Sequence, residues 1–212
     1  MDNQTNPTIA LLAKNTEVNI RLTGKGPDEL TVSAMIDPVE AELRRRVGPY
    51  IFGVDGEDLE TVVGELLNQG GFSLAIAESC TGGLIASRIT NIPGSSDYFN
   101  YGIVSYSNEA KVKLLQVSEA SLQQFGAVSE TVAKEMAQGV RKLANAHFGL
   151  AVTGIAGPGG GTPEKPVGLV YIALATENTI KCQEYRFVGD RETIKGLTAN
   201  GALNMLRWYL AK

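Results

Sequence analysis

Three stretches of this 212-residue chain gather side chains that could do chemistry. The first, Ala77-Glu78-Ser79-Cys80-Thr81-Gly82-Gly83, closes an apolar run and opens a helical one. It crowds a carboxylate, two hydroxyls and a thiol at the C-terminal end of an expected strand, the usual ligand edge of an open α/β sheet. Gly82 and Gly83 then remove side chains where backbone N–H groups at a helix start can hold an anion or an oxyanion. The ordinary role of such a turn is helix capping; the crowding of nucleophilic groups tips the reading toward function. Ser79 and Cys80 are both candidate nucleophiles, since a helix N-terminus lowers a thiol pKa. Burial of Cys80 as a small apolar residue is the alternative. The flanks are not G-x-S-x-G, so this is no ordinary hydrolase elbow.

A serine nucleophile needs a base, and histidine is scarce. The only one, His147, falls between a helix and a strand and reads as structural. A zinc site built on several imidazoles is excluded within one chain. Ser-Lys arrangements are an established alternative. In the second stretch, residues 98–111, Tyr106 ends an expected strand and Lys111 lies one turn into the following helix. A free lysine has a pKa of about 10.4, so the site must depress it by burial or a neighbouring cation. Spacing alone does not separate this pair from a core tyrosine and a solvated lysine. Lys113, two residues further on, faces elsewhere.

The third stretch, residues 153–168, holds six glycines in sixteen residues. A P-loop would continue as Gly-Lys-Ser/Thr into a helix, and a strand follows here instead. The dinucleotide fingerprint fails for the same reason. What is left is a loop whose backbone can approach a ligand closely, with Thr153 and Lys165 as polar handles. Arg191, after an Asp190 cap, reads as a surface ion pair or an anion contact. Arg44, Arg45 and Arg46 read as a solvated helix face.

Positioning these stretches takes two units. Residues 1–55 read as a small α+β segment. Alternation over 17–23 and 30–36 predicts a hairpin. Asp37-Pro38-Val39-Glu40 predicts a helix start running to about Val47, and 50–54 a third short strand. From Gly56 to Lys212, helical and strand patterns alternate. Strands are expected over 72–77, 98–106, 148–152, 167–175 and 179–187, the last two as a hairpin. Helices are expected from Leu59 to the Gly70-Gly71 stop, through Ile89, over 108–115, from a Ser129 cap to about Ala146, and from Asp190 to about Leu210. The fourth of these carries Val132, Met136, Val140 and Leu143 on its predicted buried stripe. The fold class is α/β: a three-layer α/β/α domain with a mixed sheet over 56–212, preceded by the small α+β segment.

Composition narrows the partners. Nineteen Lys and Arg stand against 23 Asp and Glu, a net charge of −4, which argues against non-specific attraction to nucleic acid or an anionic membrane. Two cysteines are too few for a disulfide scaffold. The polar start over 1–7 is no signal peptide, and no apolar run approaches the ~18 residues of a membrane span. The cytoplasm is the expected compartment.

Together the three stretches resemble a known family. AESCTGG (77–83), YGIVSYSNEAKVKLL (101–115), TGIAGPGGGTPEKPVGLVYIA (153–173) and FVGDR (187–191) resemble the C-terminal domain of the competence/damage-inducible CinA proteins, the nicotinamide mononucleotide deamidase family. PTIALLAKNTEVNIRLT (7–23) onward is similar to the family's KH-like segment. A counterpart of the family's N-terminal domain, which is similar to molybdopterin-binding folds, is not among the matching stretches; the chain resembles a fragment or a shortened member.

The resemblance implies Ser79 as nucleophile, Lys111 and Tyr106 as activating and proton-relaying groups, and Thr153 as a contact to the substrate amide. It implies an oxyanion hole from the backbone N–H groups of Thr81, Gly82 and Gly83. Substrate contacts would come from Glu78, Gly157, Gly159, Gly160, Thr162 and Arg191, with neither metal nor cofactor. Lys195 stands where the family often has a second Arg, which puts that residue's share in phosphate binding in question. The KH-like segment lacks a G-x-x-G clamp, Gly24 and Gly26 being two apart, which argues against RNA binding by the usual KH route. The expected reaction converts nicotinamide mononucleotide and water to nicotinate mononucleotide and ammonia, in a homodimer. A catalytically silent nucleotide-binding or assembly module is the alternative, because fold never proves chemistry.

Overall fold

The computed structural model describes residues 5–14 and 16–211. The first four residues of the polar start, read above as no leader, lie outside them. The chain divides into two units, one up to Asp55 and one from Gly56 onward.

In the smaller unit, β1 (Thr8–Ala13) and β2 (Val18–Thr23) form an antiparallel ribbon with Thr8 opposite Thr23 and Ala13 opposite Val18. One helix, α1 (Glu29–Val47), follows. The strand expected over 30–36 is thus the first half of a helix, and the partner of β2 precedes it in sequence. Asp28 starts the helix by accepting a hydrogen bond from the Thr31 N–H, well before the expected cap at Asp37. Val32 and Ile36 fit period two, yet they also fit the i,i+4 spacing of a helix face. Both lean on Gly24, where a Cβ would lie 2.9 Å from Val32 and 3.3 Å from Ile36. Pro38 sits inside the helix and not in its first turn, forfeiting one backbone hydrogen bond. A single 3₁₀ turn, Gly48–Tyr50, follows, and residues 51–54 form no strand. The three arginines face solvent, paired with Glu40 and Glu42.

The larger unit is the three-layer α/β/α fold. Its strands are β3 (Leu74–Glu78), β4 (Phe99–Val104), β5 (Phe148–Gly154), β6 (Leu169–Ala175) and β7 (Ile180–Arg186). They lie in the order β4-β3-β5-β6-β7, the first three parallel and the last two antiparallel to their neighbours. This is the mixed sheet expected from the late hairpin. Helices α2 (Leu59–Gly70), α3 (Leu84–Thr90) and α7 (Arg191–Leu210) pack together on one face. Helix α6 (Glu130–Ala144) spans all five strands on the other, joined by α4 (Asn108–Leu115) and α5 (Glu119–Phe125). No helix among the described residues is long and apolar enough to cross a membrane.

The two faces are built differently. Toward α6 the sheet presents Ala75, Ala77, Ala151, Ala173 and Ala175. By alternation, Leu74, Ile76, Leu150, Val152, Ile172 and Leu174 point the other way, and all are fully buried. Small residues let α6 approach closely: a Cβ on Gly149 would collide with the Ala137 carbonyl, and one on Gly139 with that of Leu115. The buried stripe of α6 is Val132, Ala133, Met136, Ala137, Val140 and Ala144. Leu143 is 50% exposed and does not belong to it. Helix α5 went unread in the sequence because only Leu122 and Phe125 mark its apolar side; its Ser118 cap and the Gly126 that ends it are the signals it carries.

Candidate active site

Everything centres on the turn after β3. Glu78 is buried, and its carboxylate accepts hydrogen bonds from the N–H groups of Gly83 (3.0 Å), Ile85 (3.1 Å) and Ala86 (2.8 Å). Three of the donors at the start of α3 are therefore satisfied from within the chain. This corrects two expectations. Glu78 anchors the turn and does not offer itself to a substrate. The N–H of Gly83 faces Glu78 and that of Gly82 donates to the Ser79 carbonyl at 3.1 Å, so neither is free for an oxyanion. Of the three N–H groups assigned to that role, only Thr81's meets no oxygen acceptor among the described residues. The Thr81 hydroxyl is buried and makes no hydrogen bond among the described residues.

Ser79 is held by its own N–H, which donates to the Val152 carbonyl at 3.2 Å. Lys111, on the first turn of α4, is 1% exposed, and its Nζ lies 3.1 Å from Ser79 Oγ and 2.7 Å from the Ser105 carbonyl oxygen. Ser107 caps α4 through the Ala110 N–H, which sets the helix start and so the lysine. Burial pulls the Lys111 pKa below the ordinary lysine value. Burial pushes the Cys80 thiol beside them up to about 12, which disfavours the thiolate that a cysteine nucleophile needs.

Tyr106 does not join the pair. It is 61% exposed, and its hydroxyl accepts a hydrogen bond from Arg191 Nη2 at 3.0 Å. It makes no hydrogen bond to Ser79 or Lys111 among the described residues, so the expected proton relay through it is not built. Arg191 Nη1 donates to the Gly157 carbonyl at 2.7 Å, tying the start of α7 to the Gly-rich loop. Lys195, one turn further along α7, places Nζ 3.9 Å from where a Gly82 side chain would begin. Cationic groups thus flank the turn from its α7 side.

The Gly-rich loop is fastened elsewhere than expected. Gly157 adopts φ +78° and is buried, whereas Gly159, Gly160 and Thr162 lie exposed at the loop tip. Thr162 Oγ1 accepts from the Lys165 N–H and the Thr162 N–H donates to the Lys165 carbonyl, so this residue serves a local turn. Lys165 is no handle for a ligand: its Nζ donates to the Phe125 carbonyl at 2.6 Å and the Val128 carbonyl at 2.8 Å. Buried Thr153 donates from Oγ1 to the Ala127 carbonyl at 2.8 Å. The α5–α6 connector was invisible as a partner in the sequence, since carbonyl oxygens carry no residue signature. His147 sits at the opposite end of the sheet, where its Nδ1 accepts from the Ser73 N–H at 3.0 Å, a structural role as expected.

Fold and site define a three-layer α/β/α protein in which a part-buried serine meets a buried lysine at the C-terminal edge of the parallel strands. Residues 56–210 match the CinA C-terminal domain and residues 1–53 the damage-inducible protein CinA KH domain. The chain belongs to the CinA family. A Thermoanaerobacter sp. (strain X514) relative named as a competence-damage inducible protein is 51% identical over 205 residues, covering 97% of this chain and 50% of the relative. A CinA-like protein of Kosmotoga olearia is 48% identical over 207 residues, 98% of this chain and 50% of its own. The chain spans about half the length of these curated relatives. Among solved structures, a competence/damage inducible protein from Agrobacterium tumefaciens superposes with a TM-score of 0.71 at 43% identity, covering 76% of this chain and 99% of that one. A CinA superfamily protein from Klebsiella pneumoniae gives 0.70 at 37%, over 72% and 96%.

Proposed function

We propose that this chain is a serine amidohydrolase that deamidates nicotinamide mononucleotide. The observation that carries the reading is the 3.1 Å approach of buried Lys111 Nζ to Ser79 Oγ. Lys111, whose burial favours the uncharged amine, takes the Ser79 hydroxyl proton as Oγ attacks the carboxamide carbon. The tetrahedral intermediate places its oxyanion at the Thr81 N–H, which meets no oxygen acceptor among the described residues. Lys111 then returns the proton to the departing nitrogen. The C–N bond breaks, ammonia leaves, and an ester on Ser79 remains. Water, deprotonated by the same amine, hydrolyses the ester, releasing nicotinate mononucleotide and restoring the serine. Arg191 and Lys195 supply the positive charge for the ribose phosphate, with Tyr106 steadying Arg191. The working unit in this reading is a homodimer, as the family resemblance implies, and its compartment is the cytoplasm.

Ammonia release from nicotinamide mononucleotide tests the reading. Ser79→Ala is expected to abolish it while leaving the thermal midpoint unchanged, and mass spectrometry of quenched wild-type protein should find the acyl group on Ser79. Thermal stabilisation by the nucleotide without any turnover in the wild type would instead make the chain a silent binding module.

A further inference from the structure

Ser79 and Thr153 are neighbours by construction. Ala77 pairs with Ala151 in the parallel register of β3 and β5, and both side chains face α6. Two residues on, alternation brings Ser79 and Thr153 to that same face on adjacent strand ends, about 5 Å apart. A carboxamide attacked by Ser79 Oγ therefore lies beside the Thr153 hydroxyl. That hydroxyl owns one proton, and the proton points at the Ala127 carbonyl 2.8 Å away. Only its lone pairs are left for a ligand. They can accept from a carboxamide NH₂; against a carboxylate, which has no proton to give, they are repulsive.

What keeps Ala127 in place is Lys165. Its ammonium bridges the carbonyls of Phe125 and Val128, on either side of Ala127, while Ser129 Oγ donates to the Gly126 carbonyl. Four consecutive carbonyl oxygens are thereby fixed, and Lys165 holds two of them. Gly126 leaves the ammonium its room: a Cβ there would stand 3.2 Å from Nζ, on a backbone with φ +72°.

We propose that Lys165 is a positioning residue that locks the Thr153 hydroxyl as an acceptor and so makes the site prefer a carboxamide to the matching carboxylate. The inference rests on the amidohydrolase reading for the placement of the ligand. It is tested by calorimetric affinities for nicotinamide mononucleotide and nicotinate mononucleotide, with Ser79→Ala as the background so that the amide persists. The amide is expected to bind about tenfold tighter than the acid. Adding Lys165→Met should collapse that ratio toward one, because a freed connector lets Thr153 rotate and donate; Lys165→Arg should restore most of it. Thr153→Val, which keeps the Lys165 bridge, should also erase the preference. A ratio kept within twofold of the parent in either Lys165→Met or Thr153→Val overturns the proposal. Affinity is read without turnover, so absent ammonia release in the wild type would sink the amidohydrolase reading and leave this ratio standing or falling by itself.

Discussion

Lys111 meets a hydroxyl and a carbonyl, and no carboxylate among the described residues, so its two hydrogen bonds offset only part of the cost of burying its charge. Its pKa lies below the ordinary lysine value of about 10.4, and the amine form is the base. The kcat/KM for deamidation is expected to rise with pH as one proton leaves, with the midpoint below that value, and then to level off. Folding is linked with the same sign. Between the depressed folded pKa and the unfolded one the unfolded chain holds more proton, so stability rises with pH across that window. Lys111→Met should cost about 10²–10⁴-fold in rate while the thermal midpoint holds or rises; a large drop in the midpoint would make the lysine structural. Glu78 is the opposite case. Removing three charge-assisted hydrogen bonds, Glu78→Ala should lose about 3 kcal/mol in urea unfolding, with kcat falling more than KM rises. Sequence spacing leaves Lys111 open between a solvated lysine and a base, and only the family resemblance pairs it with Ser79. It could not say that Glu78 closes the anion site on itself, since a carboxylate at such a turn looks the same whether it faces backbone or ligand.

At the scale of elements, the seating of α6 decides whether the catalytic edge keeps its shape. The helix touches every strand of the sheet; its approach to β5 depends on Gly149 and its approach to the end of α4 on Gly139. Gly149→Ala drives a methyl into the Ala137 carbonyl and is expected to cost about 1–3 kcal/mol through displacement of the helix. Thermal melts would check this, and an unchanged midpoint would show that the layer yields easily. Three helices of the larger unit, α4, α6 and α7, begin at Ser107, Ser129 and Asp190, side chains that satisfy free N–H groups and make those starts readable. The alanine stripe is not legible, because alanine is equally at home on a helix surface, and Leu143 fits the helical period while lying exposed. In α1, residues 30–36 fit both periods, and the cap at Asp28 decides between them.

The molecule as a whole pairs two units of unequal solidity. No described residue up to Asp55 is fully buried, whereas the larger unit encloses two layers of core. Hydrogen exchange on the intact chain should find β1, β2 and α1 opening well before β3, β5 and α6; equal protection in both units would mean that something outside this chain's own packing steadies the first. Within the larger unit, the contrast between an alanine-lined face and a leucine- and isoleucine-lined face implies an asymmetry in mutational tolerance. Beneath α6 there is no slack for added atoms, so enlargements are the damaging changes and truncations have little left to remove. Beneath α7 the reverse holds: shortening Ile172 or Leu150 opens a cavity that rigid neighbours cannot fill. A saturation scan of the sheet should therefore alternate along each strand between positions that reject larger residues and positions that reject smaller ones.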